Sequence, residues 1–255
     1  MASHNPSRRI ALVTGAGSGI GRACAIALAE AGFELALVGR KTERLEETAA
    51  EIVTAGWSPL LLPADVTKEE AVEEVFARVA NHFGRLDVLF NNAGTSSPKA
   101  YFGDVELRHF ERVLATNVTG AFLCARAAFR QMKAQQPAGG RIINNGSVSA
   151  QAPRPGGAAY TVSKHAITGL TKQIALDGRS HAIASGQIDI GNAETGIAST
   201  LVTGTEQADG RIAPEPVMPL KSVSDAVVFM ARLPLESNVQ FMTIMATGMP
   251  LIGRG

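Results

Sequence analysis

The chain has 255 residues, and 24 basic against 23 acidic side chains leave a formal net charge of +1. A composition 45% hydrophobic and 18% charged excludes a disordered chain, and at about 150 residues per domain the length fits one large α/β domain or two small ones. The charge balance leaves no basic footprint for nucleic acid or an anionic membrane. No apolar run reaches the roughly 18 residues that span a bilayer, so no membrane partner is expected. The segment from Met1 to Arg9 lacks the apolar stretch of a signal peptide. Cys24 and Cys124 lie 100 residues apart in alanine-rich stretches, too few for a disulfide framework or a zinc site. They read as buried structural thiols, and a soluble cytoplasmic protein is the expectation. The five histidines, at 4, 82, 109, 165 and 181, show no metal-ligand spacing.

In chain order, short apolar runs alternate with longer amphipathic ones. Ile10 to Thr14 reads as a buried strand, followed by a glycine-rich turn and an alanine-rich helix over Arg22 to Ala31. Leu35 to Val38 is a second strand and Glu43 to Ala55 a polar-faced helix. Leu60 to Leu62 is a third strand, before a helix over Lys68 to Phe83 with apolar Val72, Val75, Phe76 and Val79. Leu86 to Phe90, a fourth strand, runs into Asn91-Asn92-Ala93-Gly94. One long helix is expected from Leu107 to Lys133, then a fifth strand from Arg141 to Asn145. A helix over Ala158 to Asp177 and a sixth strand over Ile183 to Ile190 follow.

Apolar strands alternating with helices imply an α/β fold, its parallel sheet covered on both faces. Right-handed crossovers make it a doubly wound, Rossmann-type sheet, with ligand sites beyond the carboxyl ends of the strands. No repeat or linker divides the chain, so residues 1–255 read as a single domain. The segment 191–221, with Pro214, Pro216 and Pro219, carries no element pattern and reads as a flap over the site.

Thr14-Gly15-Ala16-Gly17-Ser18-Gly19-Ile20-Gly21 sits where the first strand hands over to the first helix. Glycines there allow a tight turn and close approach of a pyrophosphate, whose charge the helix N-terminus stabilises. The spacing is G-x-x-x-G-x-G and not the strict G-x-G-x-x-G. No G-x-x-x-x-G-K-[ST] exists, which excludes a P-loop hydrolase. Further along stand Asp65-Val66, the N-N-A-G run at 91–94, Asn117 within N-V-x-G, Ser147, and Tyr160-x-x-x-Lys164. In this order and spacing the chain resembles the short-chain dehydrogenase/reductase family over almost its whole length.

The resemblance implies an NAD(P)-dependent oxidoreductase that moves a hydride between a nicotinamide cofactor and a small-molecule ketone or secondary alcohol. It implies that Gly15, Gly17, Ser18, Gly19, Ile20 and Gly21 cradle the cofactor and that Asp65 and Val66 hold its adenine. Asn92, with Ala93 and Gly94, would lie against its ribose, and Ile188 would meet the nicotinamide carboxamide. The family's usual Pro-Gly near the end of the sixth strand stands here as Ser185-Gly186, and its usual threonine as Ile190, so a phosphate-binding hydroxyl is looked for at Thr195. Met242 to Gly248 replaces the family's V-D-G-G-like ending.

Tyr160 and Lys164 stand at i and i+4, so on a helix they share a face. A free phenol is mostly protonated at pH 7 and a poor base, whereas a nearby ammonium and a positively charged nicotinamide favour phenolate. Tyr160 is then general acid in reduction and general base in oxidation. By the resemblance, Lys164 serves phenol and ribose, Ser147 hydrogen-bonds the substrate oxygen, and Asn117 holds a water linking Lys164 to solvent. Ser149 competes with Ser147, which is preferred because it lies 13 residues before Tyr160. The second reading is a non-catalytic dinucleotide-binding sensor or scaffold, which would be expected to have lost one of these groups. Arg154, near the expected substrate pocket, reads as a solvated loop arginine or as a holder of a substrate anion.

Cofactor choice turns on the end of the second strand, where residues 39–41 are Gly-Arg-Lys and the nearest acids are Glu34 and Glu43. A carboxylate there would select a free ribose hydroxyl, and an arginine a 2′-phosphate. Arg40 therefore predicts NADP(H) preference, with NAD(H) possible if Arg40 merely stacks on adenine. A homotetramer is expected by the resemblance and from Ala121, Ala125, Ala128, Ala166, Gly169 and Leu170, small and apolar residues on more than one helix face.

Overall fold

The computed structural model describes residues 8–54, 56, 58–195 and 204–252. Strands β1 (Ile10–Thr14), β2 (Glu34–Gly39), β3 (Leu60–Pro63), β4 (Val88–Asn91), β5 (Gly140–Asn145) and β6 (Ile183–Ile190) form the sheet. A small hairpin of β7 (Thr205–Glu206) and β8 (Ile212–Ala213) lies apart, and β9 (Phe241–Ile244) closes the sheet edge. The order is β3-β2-β1-β4-β5-β6-β9, and every neighbour is parallel. The chain reverses its winding direction between β1 and β4, and ligands of such sheets bind beyond that switch.

Helices α1 (Gly19–Glu30), α2 (Thr42–Thr54), α3 (Glu69–Phe83), α4 (Leu107–Leu114), α5 (Ala121–Ala134), α6 (Ala158–Gly178) and α7 (Leu220–Arg232) cover both faces. Alternation within β1 shows why its whole run is apolar. Ala11 and Val13 pack with α1, α2 and α7, while Ile10 and Leu12 pack with α3 and α5. Cys24 and Cys124 are buried, one in each layer. Burial pushes the Cys124 thiol up to about 12 and Cys24 upward as well, so neither is a thiolate at neutral pH.

The expected long helix over Leu107 to Lys133 runs without a gap, with a π-helical segment at Ala115–Gly120 between α4 and α5. Such turns recur at functional sites, and here two residues explain it. Gly120 lies so close to β3's exit that a Cβ would stand 2.9 Å from Val66 Cγ2. Asn117, on the same turn, is pulled inward by hydrogen bonds to Thr95 and Ser163.

Candidate active site

The glycine-rich turn joins β1 to α1. Gly15 and Gly19 have positive φ, +66° and +50°, a region other residues rarely adopt. A Cβ on Gly21 would lie 2.1 Å from the Gly15 carbonyl oxygen, and one on Gly17 2.8 Å from Arg44 Cβ on α2. These glycines let the turn fold back on itself and settle on its neighbours. Ile20 packs against the core, and Ser18 caps α1 by position but makes no side-chain hydrogen bond to the helix. The first N–H groups of α1 have no intrahelical acceptor. An open glycine cradle and an uncapped helix start fit a pyrophosphate.

A hydrogen-bonded string runs from this cradle to α6. Thr14 Oγ1 accepts from the backbone N–H groups of Asn92 (2.8 Å) and Ala93 (2.9 Å), locking the ends of β1 and β4 together. Asn92 Nδ2 donates to Thr14 O (2.9 Å), and Asn92 Oδ1 accepts from Asn145 Nδ2 (2.8 Å). Asn145 O accepts from Lys164 Nζ at 2.7 Å. Lys164 is only 6% exposed, and its Nζ stands 5.4 Å from the centre of the Tyr160 ring. One helical turn separates the two residues, as their i, i+4 spacing predicts.

Ser147 lies at the exit of β5, capping a 3₁₀ turn over Val148–Ala150. Its Oγ accepts from Ser149 N at 3.1 Å, and its own N–H donates to Asp189 Oδ1 at 3.0 Å. Accepting that bond leaves the Ser147 hydroxyl hydrogen available to a substrate oxygen. Asp65 Oδ1 takes the Thr67 N–H (3.0 Å) and Oγ1 (2.9 Å). The Thr67 backbone bond, against burial and with help from Arg40 and Lys68, holds the Asp65 carboxyl below its ordinary range. Arg40 is exposed at the end of β2.

These side chains gather at the carboxyl ends of β1, β4 and β5. The description "short chain dehydrogenase" matches residues 9–206. The chain belongs to the short-chain dehydrogenase/reductase family. Among its relatives is the uncharacterized oxidoreductase YohF of Escherichia coli (strain K12), 35% identical over 214 residues, covering 84% of this chain and 82% of the relative. The acetoin dehydrogenase YohF structure from Salmonella typhimurium superposes with a TM-score of 0.79 at 30% identity, covering 93% of this chain and 94% of that one. A 3-ketoacyl-(acyl-carrier-protein) reductase from Brucella melitensis, solved with NADH, gives 0.82 at 26% identity over 94% and 97%. Like other short-chain dehydrogenase/reductases, the chain is an oxidoreductase that interconverts hydroxyl and carbonyl groups with a nicotinamide cofactor.

Several family-based expectations fall elsewhere. Ile188 is 0% exposed and packed in the core within β6, with no surface for a carboxamide. Ser185 and Gly186 lie mid-strand, paired with Ile142 and Ile143, and the strand leaves the sheet at Ile190–Gly191. Thr195 does stand over the glycine turn, its methyl 3.6 Å from where a Cβ on Gly19 would be. Asn117 is a clamp: Oδ1 accepts from Thr95 N (2.8 Å), and Nδ2 donates to Thr95 O (2.9 Å) and Ser163 Oγ (3.1 Å). Its side-chain amide is thus engaged by Thr95 and Ser163. A Cβ on Gly94 would press this clamp, 3.4 Å from Asn117 Oδ1.

Arg154 is part-exposed but already paired, not free for a substrate anion. It makes a bidentate pair with Glu215 at 3.0 and 2.6 Å and a further bond to Asn192 Oδ1 at 2.9 Å. Asn192 Nδ2 and Gln207 Nε2 also donate to Glu215, which is buried. From the opposite side Lys99 donates to Thr205 Oγ1 at 2.7 Å, and Tyr101 OH donates to Glu206. Segment 204–216 is therefore strapped to the loops after β4, β5 and β6. Residues 196–203 of the expected flap lie outside the described residues.

Proposed function

We propose that this enzyme interconverts an uncharged ketone and its secondary alcohol, with Tyr160 carrying the proton, Lys164 and Ser147 assisting, and segment 191–221 forming the substrate flap. The observation that carries it is the Thr14–Asn92–Asn145–Lys164 string, which holds a buried ammonium beside the Tyr160 ring. A bound nicotinamide supplies the hydride acceptor or donor. Lys164 holds its Nζ beside the Tyr160 ring, and Ser147 directs its hydroxyl at the substrate oxygen. Asn117 acts by holding Thr95 and Ser163, which shape the pocket wall and the start of α6. The Arg154–Glu215 pair supports an uncharged substrate, because the guanidinium is already neutralised.

NADP(H) is the preferred cofactor in this reading, with NAD(H) the poorer one. The support is Gly39-Arg40-Lys41 at the end of β2, a run with two basic residues and no acidic one. The cradle of residues 15–21, Asp65-Val66 and Asn92 to Gly94 would hold the rest. A homotetramer is supported by large apolar side chains left exposed on several elements. Phe122, 46% exposed, lies on α5 with Val162 and Leu176 on α6, while Phe229 and Phe241 lie on α7 and β9. Ala121, Ala125 and Ala128 contribute nothing to this, because all are buried in their own chain. A light-scattering mass near the 26.6 kDa monomer would overturn it. Buried free thiols at Cys24 and Cys124 support a reducing compartment, the cytoplasm.

The test is nicotinamide absorbance during turnover of a panel of neutral and anionic ketones and alcohols. Tyr160→Phe is expected to lower kcat by at least about 100-fold, the lower range for a positioned general acid. Cofactor binding should survive, because the ring is kept. Retention of more than about a tenth of wild-type kcat would sink the assignment.

A further inference from the structure

A buried carboxylate outside the serine, tyrosine and lysine set lies directly beneath the serine turn. Asp189 is 3% exposed and stands in β6 between Ile188 and Ile190, which pack into the core shared by α1 and α7. Strand alternation therefore turns Asp189 toward the α6 face. Its Oδ1 accepts from Ser147 N (3.0 Å) and Gln187 Nε2 (2.7 Å), and its Oδ2 from Gln151 Nε2 (3.0 Å). Gln187 is held in turn by Thr168 on α6 (3.1 Å), and Gln151 by Thr243 on β9 (2.8 Å). A Cβ on Gly146 would stand 2.0 Å from Asp189 Oδ1. Position 146 is glycine because the carboxylate fills the space its side chain would take.

Strands buried on both faces ordinarily carry apolar residues, and burying a carboxylate among neutral groups is unfavourable. The turn above supplies the reason for one here. Three N–H donors converge on the site, and a carboxylate accepts all of them as they stand; an amide here would keep two on its oxygen but oblige Gln151 to turn its own amide over. Because Ser147 N and Gln151 Nε2 lie at opposite ends of the turn, one carboxylate pins both ends. We propose that Asp189 is the positioning residue for Ser147, holding the 147–151 turn so that the serine hydroxyl meets the substrate oxygen beside Tyr160. The proposal rests on the role given to Ser147 in the preceding reading.

The experiment is a double-mutant cycle in the intact protein. Asp189→Asn is expected to lower kcat at least about tenfold while substrate KM and the cofactor dissociation constant stay within about twofold. On a Ser147→Ala background the same substitution should produce no further loss, since the group it positions is gone. Equal losses on both backgrounds, or an unchanged kcat, overturn the proposal alone. Wild-type kcat in Ser147→Ala overturns the catalytic reading and the proposal with it. Thr171→Val removes another buried member of the same polar network, bonded to Gln187 and Asn144 but not to the turn. It should lower the thermal midpoint and leave kcat unchanged; a kcat loss matching that of Asp189→Asn would make the effect one of packing and overturn the proposal. If Asp189→Asn does not fold, Gln151→Met decides, because that side chain is on the exposed end of the turn. A kcat lowered about threefold supports the role, and an unchanged kcat overturns it.

Discussion

Arg40 stands exposed at the carboxyl end of β2 with Gly39 before it and Lys41 after it. Its guanidinium already helps hold the Asp65 carboxyl down, so its positive charge is felt at the end of β3 as well. A 2′-phosphate at Arg40 would find a fork suited to bidentate, charge-assisted hydrogen bonds. Gly39 brings no side chain to compete, and a Cβ there would sit tightly, 3.1 Å from Leu45 Cδ2. Arg40→Ala should lower kcat/KM for NADP(H) by about tenfold or more, ~1.4 kcal/mol, and change that for NAD(H) little. A wild-type enzyme that uses NAD(H) more efficiently would refute the role of residues 39–41.

The π-turn between α4 and α5 shows how an element is bent to serve a neighbour. Leu107 to Lys133 has the composition of one continuous helix, and nothing local interrupts it. The helix stays continuous through its π-helical segment, which carries Asn117, whose side chain engages both backbone groups of Thr95 and the Ser163 hydroxyl. Ser163 Oγ passes the contact on to the Tyr160 carbonyl at 2.7 Å. One asparagine thus couples the loop after β4 to the helix that carries Tyr160. Asn117→Ala strands buried polar groups, a loss of about 2 kcal/mol. The expected fall in thermal midpoint is about 4–8 °C, read by calorimetry. A midpoint unchanged from wild type would show that the clamp adds no stability.

At the scale of the molecule, the Arg154–Glu215 pair ties the segment that carries Glu215 to the loop after β5. Glu215 is 2% exposed at its side chain, against 20% for Arg154. Burial pushes the Glu215 carboxyl up, but the bonds from Arg154, Asn192 and Gln207 outweigh it and hold the group below its ordinary value. A carboxyl depressed on folding contributes stability that is fully present above the ordinary glutamate value near ~4.3 and is lost as pH falls through the folded value. Glu215→Gln should therefore lower the thermal midpoint at pH 7 and flatten its further fall on acidification below about pH 5. An acid limb as steep as that of the wild type would remove Glu215 as the titrating latch. No helix among the described residues is long and apolar enough to cross a membrane.

Strands β1 to β6 were legible because a strand covered on both faces is apolar throughout, and the helices between them because their apolar residues recur at 3.6. The glycine turn was legible because φ and close approach are demands on a single residue. The edge strand β9 went unassigned: it is four residues long and half-exposed, and its pattern is too short to stand out. Ile188 was placed too near the site because an apolar residue late in a strand looks the same whether it lines a pocket or fills a core. Local periods of 2 and 3.6 say which face a side chain takes, not what it meets there. Ser147 and Asp189 are 42 residues apart, and Arg154 and Glu215 are 61. A polar group finds its partner through space, once sheet order and crossovers have set which loops share an end of the sheet, so those pairings became visible only in the folded chain.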